Sequence, residues 1–204
     1  MKPYYDHAGI QIYLGDCREI LPRLPNVDLA TITDPPYGIG FAAQPTKWQR
    51  LARQSPMPWD DKTADLSVLL GCFGHFPMAI WGGNYFQLPI SRGWLSWFKP
   101  DAPPSMGNVE LAWTNQSANT RQISCSISKT NAERVGHPTQ KPLKVIRWTI
   151  QQMPHAKTIL DPYMGSGTTL RAAKDLGLQA IGIEIHEPYA EIAANRLSQD
   201  VLAL

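Results

Sequence analysis

The last third of the chain leaves few choices of fold. "KTILD" (157–161) reads as a strand and "TTLRAAKDLG" (168–177) as a helix that Gly177 can stop. "AIGIE" (180–184) reads as another strand, and "PYAEIAANRLS" (188–198) as a closing helix with Pro188 near its start. A strand, helix, strand, helix succession with short connections requires parallel neighbours and a sheet covered on both faces. Upstream, "IQIYL" (10–14), "VDLATIT" (27–33), "PMAIW" (77–81), "GWLSWFK" (93–99) and "VELAWT" (109–114) supply further strand signals. Helices are expected in "GDCREILPRL" (15–24), in "LSVLLGCF" (66–73), and after Pro142, where Leu143, Ile146, Ile150 and Met153 share one helical face. The expectation is one α/β domain over residues 1–204. It has a mostly parallel seven-stranded sheet with helices on both faces, and the pair near 93–114 forms an antiparallel edge. Residues 38–62 read as a long loop, and 115–136 as polar without periodicity.

Composition narrows the class. A chain of 204 residues with 43% hydrophobic and 18% charged residues has enough apolar surface for a core. No apolar run is long enough to span a bilayer and no signal core opens the chain, so a cytoplasmic location is expected, with no membrane partner. The three cysteines are scattered and odd in number, which suggests neither a disulfide framework nor a zinc site, and no metal is expected. A net charge of +2 allows a nucleic-acid partner without requiring one.

Two stretches carry chemistry. "LDPYMGSGTTLRAA" (160–173) runs from strand through a Gly-containing turn into a helix, and Gly165 and Gly167 would let a ligand approach the backbone. A phosphate-binding P-loop needs a Lys where Thr168 stands, and the dinucleotide G-x-G-x-x-G fails at Leu170. A nucleoside site survives, with Glu184 at the offset of an acid that binds ribose hydroxyls, although a tight turn with a solvated acid fits this segment too. In the second stretch, "TITDPPYGIG" (31–40), a buried strand ends on Asp34-Pro35-Pro36-Tyr37. Taken singly, Asp34 could be a turn or helix-capping acid.

Together these segments resemble the S-adenosylmethionine-dependent DNA amino-methyltransferases, in the permuted class whose catalytic tetrapeptide precedes the cofactor loop. Asp34-Pro35-Pro36-Tyr37 looks like that tetrapeptide, and "DPYMGSGTT" (161–169) is similar to the cofactor loop. "GIEIHEPYAEIAANRL" (182–197) resembles the ribose-binding strand and helix, "HPTQKP" (137–142) the segment holding the methionine end, and "LGDC" (14–17) the adenine-contacting turn. The resemblance implies a Rossmann-like methyltransferase fold and S-adenosyl-L-methionine as cofactor. Implied cofactor contacts are Asp16, Cys17, Thr139, Gln140, Lys141 (paired with the cofactor carboxylate), Asp161 (on its ammonium), Tyr163, Gly165, Ser166, Gly167, Thr168 and Glu184.

It further implies direct methyl transfer to a flipped base, to adenine N6 or alternatively cytosine N4, with an RNA or protein-amide methyltransferase and an inactive cofactor-binding scaffold as the remaining alternatives. In this family an Asp opening the tetrapeptide goes more often with adenine and a Ser with cytosine. Asp34 and the Pro35 carbonyl would accept the amino hydrogens. Pro36 would contribute no competing N–H and would keep Pro35 extended, and Tyr37 would offer a stacking face. Lys47, Trp48, Arg50 and Arg53 suit phosphate contact in the following loop, and a solvated loop explains them equally well. Arg121, Lys129 and Arg134 fall in 100–136, where the family places target recognition. Double-stranded DNA is the implied partner. A homodimer and a cognate restriction enzyme are compatible with the resemblance.

Overall fold

The computed structural model describes residues 1–25, 28–40, 60–104, 106–128, 140–153 and 155–198. These form one mixed sheet of nine strands: β1 (Tyr5–His7), β2 (Ile10–Leu14), β3 (Leu29–Thr33), β4 (Met78–Trp81), β5 (Trp94–Phe98), β6 (Val109–Thr114), β7 (Arg121–Ser124), β8 (Thr158–Asp161) and β9 (Gln179–Glu184). Their spatial order is β1-β2-β9-β8-β3-β4-β6-β5-β7. Seven run in one direction, and β1 and β6 oppose them.

The seven strands read from the sequence are all present. β1 and β7 are additional, and both are short, largely exposed edge strands whose residues lack the apolar alternation that marks a half-buried strand. The expected antiparallel edge pair is corrected in one respect. β5 and β6 do pair antiparallel, but β7 continues the sheet beyond β5, so the reversed strand β6 lies inside it.

Among the described residues, five α-helices cover the sheet: α1 (Cys17–Ile20), α2 (Ser67–Phe73), α3 (Leu143–Gln151), α4 (Thr168–Asp175) and α5 (Glu187–Ser198). The strand alternation divides the core in two. Ile10, Ile12, Ala30, Ile32, Ala79 and Trp81 pack with α3, α4 and α5 on one face. Tyr13, Leu29, Met78, Ile80, Leu160 and Ile183 pack with α1 and α2 on the other. No helix among the described residues is long and apolar enough to cross a membrane.

Two features place the site. From β3 the chain crosses to β4 on one side, whereas from β8 it crosses to β9 on the other, so the connections diverge between β3 and β8. Open α/β sheets leave a crevice at the carboxyl ends of strands at such a point. Asp34 follows β3, and Asp161 ends β8, directly beside it.

Candidate active site

A cleft of about 400 Å³ opens at this divergence. It is lined by the ends of four parallel strands: Gly15 to Arg18 after β2, Thr33, Asp34 and Pro36 after β3, Asp161 to Ser166 after β8, and Glu184 to His186 after β9. Thr168, Thr169, Gln140, Lys141 and the 61–65 segment add to the wall. That volume suits a small organic ligand or cofactor.

On the β8–β9 side, Glu184 organises two loops. Its Oε2 accepts the Gly165 N–H at 3.0 Å, and its Oε1 accepts that of His186 at 2.8 Å. Burial pushes the Glu184 carboxyl up to about 7, against the lowering effect of these backbone donors. Asp161 is likewise pushed up to about 6 by burial, although Thr169, Thr33 and the Tyr163 N–H hydrogen-bond it; the Thr33 Oγ1 donates at 2.7 Å. Gly165 adopts the left-handed conformation, φ 51°, and lines the cleft. Gly167 does not line it. Its φ is 76°, and a Cβ there would meet the Ala193 Cβ at 2.7 Å. The missing side chain at Gly167 therefore makes room for helix α5. Arg196 of α5 fixes the same turn from outside, its Nη1 donating to the Ser166 carbonyl at 2.6 Å.

Asp16 lines the cleft and also caps α1, accepting the Arg18 N–H at 2.8 Å, while its carboxylate pairs with the Arg18 guanidinium. Cys17 is buried beside Tyr163, and burial raises its thiol pKa. Gln140 is buried in the wall, and Thr139 lies outside the described residues.

On the β3–β4 side, Asp34 is held by two donors. The Tyr37 hydroxyl donates to its Oδ1, and the Lys141 ammonium donates to its Oδ2 at 2.7 Å. Burial keeps the Tyr37 phenol protonated. Lys141 also reaches Glu110 Oε2 at 3.0 Å and the Tyr37 hydroxyl oxygen at 3.2 Å, and Lys99 pairs with the other Glu110 oxygen. Burial alone would lower the Lys141 pKa, but Asp34 and Glu110 outweigh it and hold the ammonium charged. The carboxylates that Lys141 pairs with belong to the protein, because the turn before α3 brings residue 141 against β6 and the end of β3.

The tetrapeptide backbone is pinned by the segment returning at residue 60. The Ala64 N–H donates to the Pro36 carbonyl at 3.0 Å, the Gly38 N–H to Asp60 Oδ1 at 2.8 Å, and the Gly40 N–H to the Asp60 carbonyl at 2.8 Å. Pro35 is buried. One face of Tyr37, expected to be open, is covered by Tyr85, with centroids 4.8 Å apart and planes inclined by 10°. Gly82 makes room for this ring, since a Cβ there would fall 2.0 Å from Tyr37 Cε1.

Sequence reasoning missed Glu110, Lys99 and Tyr85. The only available signal for Glu110 was an acid at the start of a strand otherwise read as core. Arg121 starts β7, at the opposite end of the strands from the cleft, and its Nη1 donates to Gln152 Oε1 at 2.9 Å. It is therefore remote from the cleft mouth. Lys47, Trp48, Arg50, Arg53, Lys129 and Arg134 lie outside the described residues.

The family model described as DNA methylase, for N6 and N4 amino-methyltransferases, matches residues 80–195, more than half of the chain. The chain belongs to this N6/N4 DNA methylase family. Among curated relatives of this methylase, Type II methyltransferase M.ScaI of Streptomyces caespitosus is 27% identical over 264 aligned positions, covering all of this chain and 86% of that protein. M2.DpnII of Streptococcus pneumoniae is 43% identical over 65 residues, 31% of this chain and 24% of that one. Among solved structures, the cytosine-N4-specific PvuII DNA methyltransferase superposes with a TM-score of 0.66 at 17% identity, over 99% of this chain and 91% of that one. M1.HpyAVI in complex with S-adenosylmethionine gives 0.57 at 24%, over 92% and 99%. The methylase uses S-adenosylmethionine as its methyl donor and DNA as its substrate. The cleft fits that donor on its own terms: buried carboxylates suit its ribose hydroxyls and its ammonium, and a left-handed glycine exposes backbone to it.

Proposed function

We propose that this methylase transfers a methyl group to the N6 amino group of adenine at a specific site in duplex DNA, with the base flipped from the helix. One observation carries the reading: the acid that opens the tetrapeptide, Asp34, stands at the rim of the same cleft as Asp161 and Glu184. The bound cofactor supplies an electrophilic, sulfonium-activated methyl group, and the chain supplies position and charge.

An exocyclic amino nitrogen is a poor nucleophile because its lone pair is delocalised into the ring. Asp34 and the Pro35 carbonyl accept its two hydrogens, which turns the lone pair toward the methyl. The Asp34 carboxylate then stabilises the positive charge growing on nitrogen. Each carboxylate oxygen has two acceptor sites, so the bonds from Tyr37 and Lys141 leave Asp34 able to accept a third. The aromatic wall of Tyr37 and Tyr85 receives the flipped base. On the donor side, Glu184 binds ribose, Asp161 binds the ammonium, Asp16 and Cys17 border the adenine, and the 163–168 turn supplies backbone contacts.

Residues 100–136 contribute target recognition from the loops around β6 and β7. Lys47, Trp48, Arg50 and Arg53, with Lys129 and Arg134, contact DNA. The Type II names of the relatives support a place beside a cognate restriction endonuclease, and a homodimer would extend a short recognition surface. Nucleoside mass analysis of DNA incubated with protein and cofactor tests the central reading. N6-methyladenine is expected, and N4-methylcytosine alone would overturn the choice of base.

A further inference from the structure

The charged groups around Asp34 form an alternating row, Lys99–Glu110–Lys141–Asp34, in which each pair is in contact. Sheet register builds it. Trp81 of β4 pairs with Ala112, so Glu110 stands two residues beyond the end of β4, and Trp97 pairs with Glu110, which puts Lys99 two residues past that pair. Lys141 and Lys99 are buried, while part of Glu110 still reaches solvent. The Lys141 ammonium lies 5.7 Å from the centroid of the Trp81 ring, an apolar wall that leaves its three hydrogens for Asp34, Glu110 and the Tyr37 hydroxyl.

We propose that Glu110 is a positioning residue for methyl transfer: by sharing the Lys141 ammonium, it keeps Asp34 anionic toward the target amino group instead of closed in a private ion pair. The inference rests on the reading of Asp34 as the carboxylate that holds that group. The four groups together are neutral, so with Glu110 in place the Lys141 charge is divided between two carboxylates and Asp34 keeps more of its own for the cation forming on nitrogen. Without it the buried Lys141 ammonium has Asp34 as its remaining anion in contact and draws fully onto it. Lys99 balances Glu110 from the far side and fixes its orientation.

The test uses the full chain, with duplex DNA carrying the site found by sequencing methylated DNA. Glu110→Gln is expected to slow single-turnover methyl transfer about 10- to 100-fold while cofactor and DNA dissociation constants stay within about twofold. Glu110→Asp should recover part of the rate. Glu110→Gln also strands Lys99, so the double variant Lys99→Met/Glu110→Gln should regain thermal stability without regaining rate.

A double variant with the wild-type rate would make Glu110 a counter-ion to Lys99 and overturn the proposal. So would a Glu110→Gln effect confined to the dissociation constants. Asp34→Ala, run in parallel, separates the two levels. If it is inert while the double variant is fully active, only the role of Glu110 falls; if it is active, the reading of Asp34 falls and takes this inference with it.

Discussion

Glu184 should make cofactor affinity depend on pH between 6 and 8. Burial has raised its carboxyl to about 7, and only the ionised form accepts two ribose hydroxyls while still holding the Gly165 and His186 N–H groups. Binding that requires the anion weakens as the anion is lost. With a pKa of about 7, roughly ten carboxyls in eleven are ionised at pH 8 and one in eleven at pH 6, so affinity should fall about tenfold. Asp161, at about 6, adds roughly a further factor of two if its anion holds the ammonium. Burial pulls the His186 pKa down, which favours its neutral form.

Titration calorimetry at several pH values, on the wild type and on Glu184→Gln, isolates the effect, because the cofactor's own titration is common to both proteins. The variant should bind more weakly at pH 8 and lose the tenfold component of the slope. Parallel slopes for the two proteins would refute the assignment of Glu184 to the ribose.

The same residue links pH to folding. A carboxyl raised from 4.5 to about 7 contributes stability that is fully present below pH 4.5 and is lost as pH rises through 7, worth about 3 kcal/mol at most. Glu184→Gln mimics the protonated acid, so the cofactor-free variant should gain in Tm over the wild type between pH 5 and 8. Asp34→Ala should abolish methyl transfer, by at least about a hundredfold, with cofactor affinity by calorimetry nearly unchanged. Gly82→Ala would drive a methyl into the Tyr37 ring at a φ of 69°; single-turnover assays should show at least about a tenfold loss with the cofactor still bound. Gly182→Ala, deep in β9, would put a Cβ 2.5 Å from the Met164 sulfur and 2.8 Å from Leu170, and urea unfolding should show a loss of about 1–3 kcal/mol.

What could be read from the sequence follows from how local each signal is. Strands β2 and β9 announce themselves because each is buried and rich in Ile; β1 and β7 lie at solvent-washed edges, where nothing enforces an apolar pattern. Asp34, Asp161 and Glu184 each end a strand beside a turn signal, so their presence at one crevice follows once the sheet is parallel. The partners of Lys141 do not follow. Contact among residues 34, 99, 110 and 141 depends on the register of three strands and one turn, and no periodicity in a single stretch encodes it. Gly167 shows a different limit. A left-handed turn can serve a ligand or a neighbouring helix, and the sequence around it is the same in both cases.

The Asp60 bonds have a consequence for how such a protein can change. The Gly40 N–H meets the Asp60 carbonyl at 2.8 Å, so residues 40 and 60 stand side by side. Loop-closure entropy grows only slowly with length. Lengthening, shortening or exchanging the residues between 40 and 60 would therefore change the entropic cost of holding those two ends together only slowly. Asp34 and Tyr37 would keep their places, because Asp60 and Ala64, outside the exchanged stretch, secure Gly38 and Pro36. The tetrapeptide thus owes its backbone anchors to Asp60 and Ala64.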